Sequence, residues 1–190
     1  MAFEPFVKQL DGSTFQGSNC NCASDAMLIA VQSGGKYRPS SARVRRLTRD
    51  QAGGTNLRQV HDVNTNVFKI RTVLKQPISW ADLMAKAKAG RPFILQVYYK
   101  PISPTKYDCF RRKFQDNHSI FVIGMNADGT LRAADPGADG RYKGCPKGYQ
   151  NYPQSLLKKA AGMLDLTGLG TTHYRPLGDG KAYALMGWKP

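Results

Sequence analysis

The stretch that decides the fold lies at residues 16–35 and reads QGSNCNCASDAMLIAVQSGG. Its second half repeats apolar side chains three and four residues apart, at Ala23, Ala26, Met27, Ala30 and Val31. That spacing puts them on one face of a helix, and Ser33-Gly34-Gly35 is typical of a helix end. The sequence therefore predicts an amphipathic first helix that begins at Cys22 and ends before Ser33.

The segments downstream separate into a helical half and a β-rich half. Apolar spacing after Thr55 or Asn56 predicts a second helix, and Ser79 is placed to cap a third helix over residues 80–89. β-forming residues are concentrated at 92–99, 118–124, 131–134 and 182–188, and a further short helix is predicted at 153–164. We therefore expect a single α+β domain over residues 1–190, with N-terminal helices packed on a C-terminal antiparallel sheet.

Composition and charge restrict the function. The chain has 190 residues, of which 41% are hydrophobic, so it is long enough to bury a core. The net charge of +15 predicts an anionic partner: nucleic acid, a wall polymer, a membrane surface or an acidic protein face. No segment approaches the roughly 20 apolar residues of a membrane span. The N-terminus lacks the pattern of a secretory signal, so we expect synthesis in a cytoplasm.

Four cysteines stand at positions 20, 22, 109 and 145, which is too few for a disulfide scaffold in a chain of this length. A four-cysteine zinc site needs two close pairs, usually Cys-x2-Cys, whereas only Cys20 and Cys22 are close together. We therefore expect reduced thiols, no metal and no cofactor.

Cys22 has the setting of a nucleophile. A thiol at a helix N-terminus lies near unpaired N–H groups and the positive end of the helix dipole, both of which favour the thiolate. Gln16 precedes it by six residues, so the Gln16 amide and the backbone N–H of Cys22 are candidate donors to an oxyanion formed beside the sulfur. Cys20 is a rival nucleophile, but the residue six positions before it is Thr14 rather than a glutamine.

His118 is the candidate general base and acid. It begins an apolar strand, Asp135 follows the next strand, and a turn at 127–130 joins the two. Antiparallel pairing would bring both residues to the same end of the sheet, where the carboxylate can orient the imidazole and stabilise the imidazolium. His61, in the second predicted helix, and His173, near the C-terminus, are the alternative bases.

Together these residues resemble the papain-like cysteine peptidases. The resemblance is carried by Gln16-x5-Cys22 at a helix start, by the strand that begins at His118, and by an Asp-Pro pair at Asp135. It is greatest to the bacteriocin-processing, double-glycine-leader peptidases, although that branch often has Asp-Cys-Gly where this chain has Asn-Cys-Ala. The resemblance implies Cys22 as nucleophile, His118 as base, Asp135 as the orienting residue and Gln16 as oxyanion donor.

The resemblance also implies a reaction and a setting. The reaction is hydrolysis of a peptide or isopeptide bond without a metal or cofactor. Similar domains are encoded by phages, often among tail genes, which implies a virion location, contacts with other tail proteins, and peptidoglycan cross-bridges held among anionic wall polymers as substrate. Two alternatives remain: a catalytically silent papain-like structural component of a tail, and a basic nucleic-acid-binding protein, which rests on charge alone.

Overall fold

A computed structural model describes residues 3–49, 54–110, 114–140, 145–164, 177, 178 and 180–188, without the side chain of Asp139. The helices are α1 (Cys20–Gln32), α2 (Ser41–Thr48), α3 (Leu57–Asn66), α4 (Trp80–Lys88) and α5 (Gln154–Gly162). The strands are β1 (Thr72–Ser79), β2 (Phe93–Tyr98), β3 (Asn117–Met125), β4 (Leu131–Asp139), β5 (Lys147–Tyr152) and β6 (Lys181–Gly187).

The six strands form one antiparallel sheet in the order β1-β6-β2-β3-β4-β5. Side chains alternate between the two faces of a strand, so each central strand contributes to two cores. On β3, Phe121 packs with the residues of α1, α2 and α3. Its neighbours Ile120 and Val122 pack with those of α4 and α5 on the other face. The sheet is therefore covered by helices on both sides, and α1 lies against β3.

Local sequence explains why the helices begin where they do. Asn56 and Gln59 form a reciprocal capping box at the start of α3. The Ser79 side chain accepts a hydrogen bond from the Asp82 N–H at the start of α4, as the sequence predicted. Helix α1 ends at Gln32, also as predicted, but it begins at Cys20, two residues before the predicted start.

The sequence analysis did not predict α2, β1 or β5, and none of these three elements has a strong hydrophobic periodicity. Helix α2 is dominated by arginine and buries only Ser41, Val44 and Arg45. Strand β1 is an edge strand whose middle is exposed, and β5 is the opposite edge. The prediction that Asp135 follows the strand at 131–134 is wrong, because Asp135, Pro136 and Gly137 lie inside β4. They coincide with an irregular register against β5, between Ala134 and Asp139.

The predicted division into helices first and strands second holds only approximately, since β1 precedes α4 and α5 follows β5. Within the part of the chain that the structure describes, no helix combines the length and the apolar character needed to cross a bilayer.

Candidate active site

The N-terminus of α1 carries Cys20 as its first residue. The preceding residue, Asn19, does not use its side chain to cap the helix. Its Nδ2 donates instead to Ser13 Oγ over 3.1 Å, and its Oδ1 accepts from the buried guanidinium of Arg45 over 2.9 Å. Arg45 also donates to the Ser18 carbonyl over 3.2 Å. The loop that leads into Cys20 is therefore fixed by side chains rather than by packing alone.

Cys22 lies on the opposite face of α1. Two residues along a helix correspond to a rotation of about 200°, so the two thiols point in opposite directions. The Cys22 side chain is fully buried among α1, α2 and α3, and its Sγ lies 3.2 Å from Thr55 Oγ1. Burial raises the Cys22 pKa to about 12. The prediction that Cys22 meets His118 is therefore wrong, and the structure puts Cys20 in that position.

His118 and Asp135 lie together, as the hairpin argument predicted. His118 Nε2 is 2.8 Å from Asp135 Oδ1, and both side chains are buried. The same carboxylate accepts hydrogen bonds from the Gly137 N–H over 2.7 Å and from Tyr99 Oη over 2.9 Å. Asp135 is thus held by three donors, and it fixes the plane of the imidazole.

Three aromatic rings enclose the His118 imidazole. Tyr99, Phe110 and Phe114 meet it edge to face, with centroid separations of 5.2, 5.5 and 5.7 Å. These rings exclude water from the His118–Asp135 pair, and a lower local dielectric strengthens the interaction between the two groups. A Cβ at Gly137 would approach Phe110 to 2.4 Å, so the absence of a side chain there lets Phe110 lie close to β4.

Cys20 and His118 alter each other's pKa. Burial raises the Cys20 pKa, but the hydrogen bond and charge of His118 act in the opposite direction, helped by Ser119 and the Asn21 N–H, and the net pKa is lowered. For His118, burial lowers the pKa, but the charge and hydrogen bond of Asp135 and the neighbouring Cys20 raise it above its usual value. The arrangement favours a thiolate–imidazolium pair.

The hydrogen bond to Asp135 leaves one imidazole nitrogen of His118 available to a thiol. Nε2 is bonded to Asp135, whereas the buried Nδ1 makes no hydrogen bond of ordinary geometry with the described residues. Cys20 is the thiol that interacts with this ring.

Gln16 lies in a short 3-10 helix, Gln16–Ser18, immediately before Asn19 and Cys20. Its Oε1 accepts a hydrogen bond from the Gly12 N–H over 3.1 Å, which orients the amide. Gln16 precedes Cys20 by four residues rather than the six that separate it from Cys22. The predicted oxyanion donor therefore lies one short helix before Cys20 in the sequence. The backbone N–H of Cys20 replaces that of Cys22 as its candidate companion.

A network of buried polar side chains holds the start of α1 against the sheet. Asn21 Oδ1 accepts from Gln96 Nε2 over 2.7 Å and from Ser119 Oγ, and Asn21 Nδ2 donates to the Thr55 carbonyl. Gln96 Nε2 also donates to Ser119 Oγ over 2.6 Å. Because Ser119 follows His118 on β3, this network ties the thiol-bearing turn to the strand that carries the imidazole.

The remaining sequence candidates lie elsewhere. His61 is on α3, with Nδ1 2.6 Å from Thr72 Oγ1, and His173 lies outside the described residues. No cluster of three or more possible metal ligands is present in the described ranges. Sequence reasoning considered Cys20 only as a rival nucleophile and ranked it below Cys22, and it missed Tyr99 and Gly137. For Cys20 a signal existed: Cys22 continues the apolar spacing toward Ala26 and Ile29, which predicts burial, and Asn19 is a typical residue to precede a helix.

No protein-family model matches this sequence, and no curated protein matches it. Among solved structures, the chain is similar to the peptidase domain of Streptococcus ComA, a bi-functional ABC transporter involved in a quorum-sensing pathway. The identity is 16% and the TM-score 0.57, over 98% of this chain and 100% of that chain. It is also similar to a protein from Bacillus anthracis described as a C39-like peptidase, with 13% identity and a TM-score of 0.53 over 100% of this chain and 96% of that chain. These likenesses confirm the predicted α+β class: the chain has the papain-like fold of C39-like peptidase domains.

Proposed function

We propose that this protein is a cysteine peptidase of the papain-like type, formed as one domain, with Cys20 as its nucleophile. The observation that carries the proposal is the series of contacts from Cys20 to His118 and from His118 to Asp135. A thiol at a helix N-terminus, an imidazole beside it and a buried carboxylate behind the imidazole are the three parts that thiol-based acyl transfer needs. The fold shared with C39-like peptidase domains supports the same reaction class.

The reaction follows from these groups. The Cys20 thiolate attacks the carbonyl carbon of an amide, and the backbone N–H of Cys20 and the Gln16 amide stabilise the oxyanion. The His118 imidazolium then gives its proton to the leaving amine, which leaves a thioester on Cys20. His118, now neutral, takes a proton from water as the water attacks the thioester, and the acid product and free thiol are released. Asp135 keeps the imidazole oriented throughout.

The substrate that we propose is a peptide or isopeptide bond in bacterial peptidoglycan, cleaved by an enzyme carried on a phage tail. The net charge of +15 supports an anionic target such as the wall, with its anionic polymers. Helix α2 and the residue after it add a local reason: the exposed Arg46 and Arg49 line a shallow cavity together with the buried Arg45 and with Phe15. Arg45 also holds the loop before Cys20, so this cationic surface adjoins the segment that carries the nucleophile.

The experiment incubates purified bacterial walls with wild type, Cys20→Ala and Cys22→Ala, and measures newly released amines and protein pelleted with the walls. Wild type and Cys22→Ala should release amines, and Cys20→Ala should not. All three should pellet, and pelleting should decrease above roughly 0.15 M salt, where the Debye length is about 8 Å. Amine release by Cys20→Ala at the wild-type rate would exclude the mechanism.

Other outcomes favour the alternatives. Pelleting without amine release by any variant favours a structural tail component. Salt-sensitive binding to duplex DNA, with no binding to walls, favours a nucleic-acid-binding protein.

A further inference from the structure

Cys109 and Cys145 are 36 residues apart in sequence but lie together in the fold. Cys145 raises the pKa of the Cys109 thiol, so the two side chains are close enough to interact. Cys109 Sγ lies 3.4 Å from the Tyr107 carbonyl oxygen, and Cys145 Sγ lies 3.4 Å from the Pro146 carbonyl oxygen. The surrounding geometry independently joins the two segments: Tyr107 and Pro146, close to each cysteine, line one cavity. Tyr107 Oη also donates to the Asn151 carbonyl of β5 over 2.8 Å.

The two thiols differ in exposure. Cys109 is buried, with 1% of its surface accessible, and its Sγ donates to the Tyr107 carbonyl over 3.4 Å. Cys145 is partly exposed, so its sulfur is the more accessible of the two to a small reagent in solution. With one accessible and one buried thiol, thiol–disulfide exchange can begin at the accessible cysteine. The buried cysteine can then complete an intramolecular disulfide.

We propose that Cys109 and Cys145 are a redox-active pair that closes to an intramolecular disulfide under oxidising conditions. The oxidant class is a small-molecule disulfide, such as oxidised glutathione. The Cys145 thiolate attacks one sulfur of that disulfide, and one glutathione thiolate leaves. The Cys109 sulfur then attacks the Cys145 sulfur, and its proton passes to the second glutathione sulfur as that sulfur leaves. Two protein thiols thereby lose two electrons and two protons, and oxidised glutathione becomes two thiols.

A disulfide at Cys109 would affect the candidate active site, because Cys109 lies next to residues that contact Asp135 and His118. The Cys109 N–H donates to Tyr99 Oη over 3.0 Å, and Tyr99 Oη donates to Asp135. Phe110, the next residue, covers His118. A bond from Cys109 to Cys145, which lies two residues before β5, therefore fixes the segment that encloses the His118–Asp135 pair. The bond also restricts the conformations of the unfolded chain. The oxidised protein should melt at a higher temperature than the reduced protein.

The test uses the full chain carrying Cys20→Ser, because the low-pKa thiol of Cys20 would otherwise react first. It is treated with oxidised glutathione at about pH 8, alkylated, weighed intact and mapped by peptide mass spectrometry. We expect loss of two hydrogen atoms, a peptide linked through Cys109 and Cys145, and a raised Tm by calorimetry that returns to its starting value on reduction. Wild type treated in the same way should yield the same linked peptide.

Matched single variants supply the controls. Adding Cys109→Ser should leave a stable glutathione adduct on Cys145, and adding Cys145→Ser should leave Cys109 unmodified. The proposal is overturned by a lasting glutathione adduct on Cys145 in the chain that retains Cys109. It is also overturned by a cross-link to Cys22 instead, or by both thiols staying reduced after prolonged treatment.

Discussion

The ring of His118 is bonded through Nε2 to Asp135 Oδ1 over 2.8 Å, which leaves Nδ1 as the nitrogen available to the Cys20 thiol. This hydrogen bond sets the order of the groups in the site, in which the His118 imidazole lies between the Asp135 carboxylate and the Cys20 thiol. It also makes Cys20, Asp135 and Gln16 separately testable, because each is expected to act on a different property of the reaction.

Thiol reactivity should distinguish the two neighbouring cysteines. Iodoacetamide at about pH 6.5 should alkylate Cys20 first, because its pKa is lowered by His118 and thiolate is the reacting form. Cys22, fully buried and with a pKa of about 12, should remain unmodified in the native protein. Peptide mapping over a time course measures both rates. Faster labelling of Cys22 than of Cys20 would restore Cys22 as the candidate nucleophile.

The pH dependence of amide hydrolysis should be bell-shaped. The Cys20 pKa lies below its usual value of 9.0 and the His118 pKa above its usual value of 6.5. The rate should therefore rise as Cys20 deprotonates and fall as His118 loses its proton. The thiolate–imidazolium pair exists between these two steps, and the window is wider than free side chains would give.

Asp135→Asn should narrow that window. Without the Asp135 charge the His118 pKa falls, so the alkaline limb moves to lower pH. His118 then supports the thiolate less, so the acid limb moves to higher pH. The maximum rate should decrease by about 10²–10⁴-fold, the range of a general acid–base contribution. Asp128→Asn, in the β3–β4 turn, is the control and should leave the profile unchanged. An unshifted profile in Asp135→Asn would argue against its orienting role.

Gln16→Ala should separate oxyanion stabilisation from thiol activation. Loss of one oxyanion donor typically lowers kcat by about 10²–10³-fold. Alkylation of Cys20 by iodoacetamide forms no oxyanion, so its rate should stay within about twofold of wild type. Comparing the two rates on one preparation makes the measurement. Equal loss in both would mean that Gln16 acts on the thiol, and loss in neither would remove it from the site.

Two buried tyrosines provide a matched pair for stability. Tyr99 Oη donates to Asp135 and accepts from the Cys109 N–H, so Tyr99→Phe leaves buried groups without partners and should cost about 1–3 kcal/mol. Tyr152 Oη is buried and has no hydrogen-bond partner among the described residues. Tyr152→Phe should therefore be neutral or stabilising. Urea unfolding measures both, and a larger loss for Tyr152→Phe would contradict the hydrogen-bond assignment.

Asp25, on the buried face of α1, should make stability depend on pH. Asn64 Nδ2 donates to Asp25 Oδ1 over 2.6 Å, whereas Asp25 Oδ2 and Asn64 Oδ1 have no partner in the described ranges. Burial raises the Asp25 pKa well above its usual value of 3.8. The folded state then keeps a proton that the unfolded chain has lost. This contribution to stability is fully present below about pH 4 and decreases as pH rises toward the folded pKa.

Asp25→Asn should remove this decrease in the free energy of unfolding with rising pH. An amide supplies a donor for Asn64 Oδ1 at every pH, so the variant should gain about 1–3 kcal/mol over wild type at pH 8 and little at pH 4. Urea unfolding at the two pH values gives the comparison. Asp62→Asn, on the exposed side of α3, is the control and should follow wild type. A variant that loses stability with pH as steeply as wild type would show that Asp25 is ionised in the fold.

Local sequence patterns predicted the α+β class of the fold and the pairing of His118 with Asp135 in the candidate site. The apolar spacing of α1 predicted a buried helix, and the turn-connected strands at 118–124 and 131–134 predicted that His118 and Asp135 meet. Both inferences rest on short-range regularities, because helical period and hairpin pairing are set by residues close together in the chain.

Only the tertiary structure decided which cysteine belongs to the site. Cys20 and Cys22 are two residues apart at the start of the same helix, and a rotation of about 200° around α1 separates their side chains. Which direction faces the imidazole is fixed by how α1 lies on β3, through the contacts of Asn21 with Gln96 and Ser119. The side chains that hold Asp135 and enclose His118 likewise come from segments distant in sequence. The direction of a side chain follows from packing between elements, which no local pattern encodes.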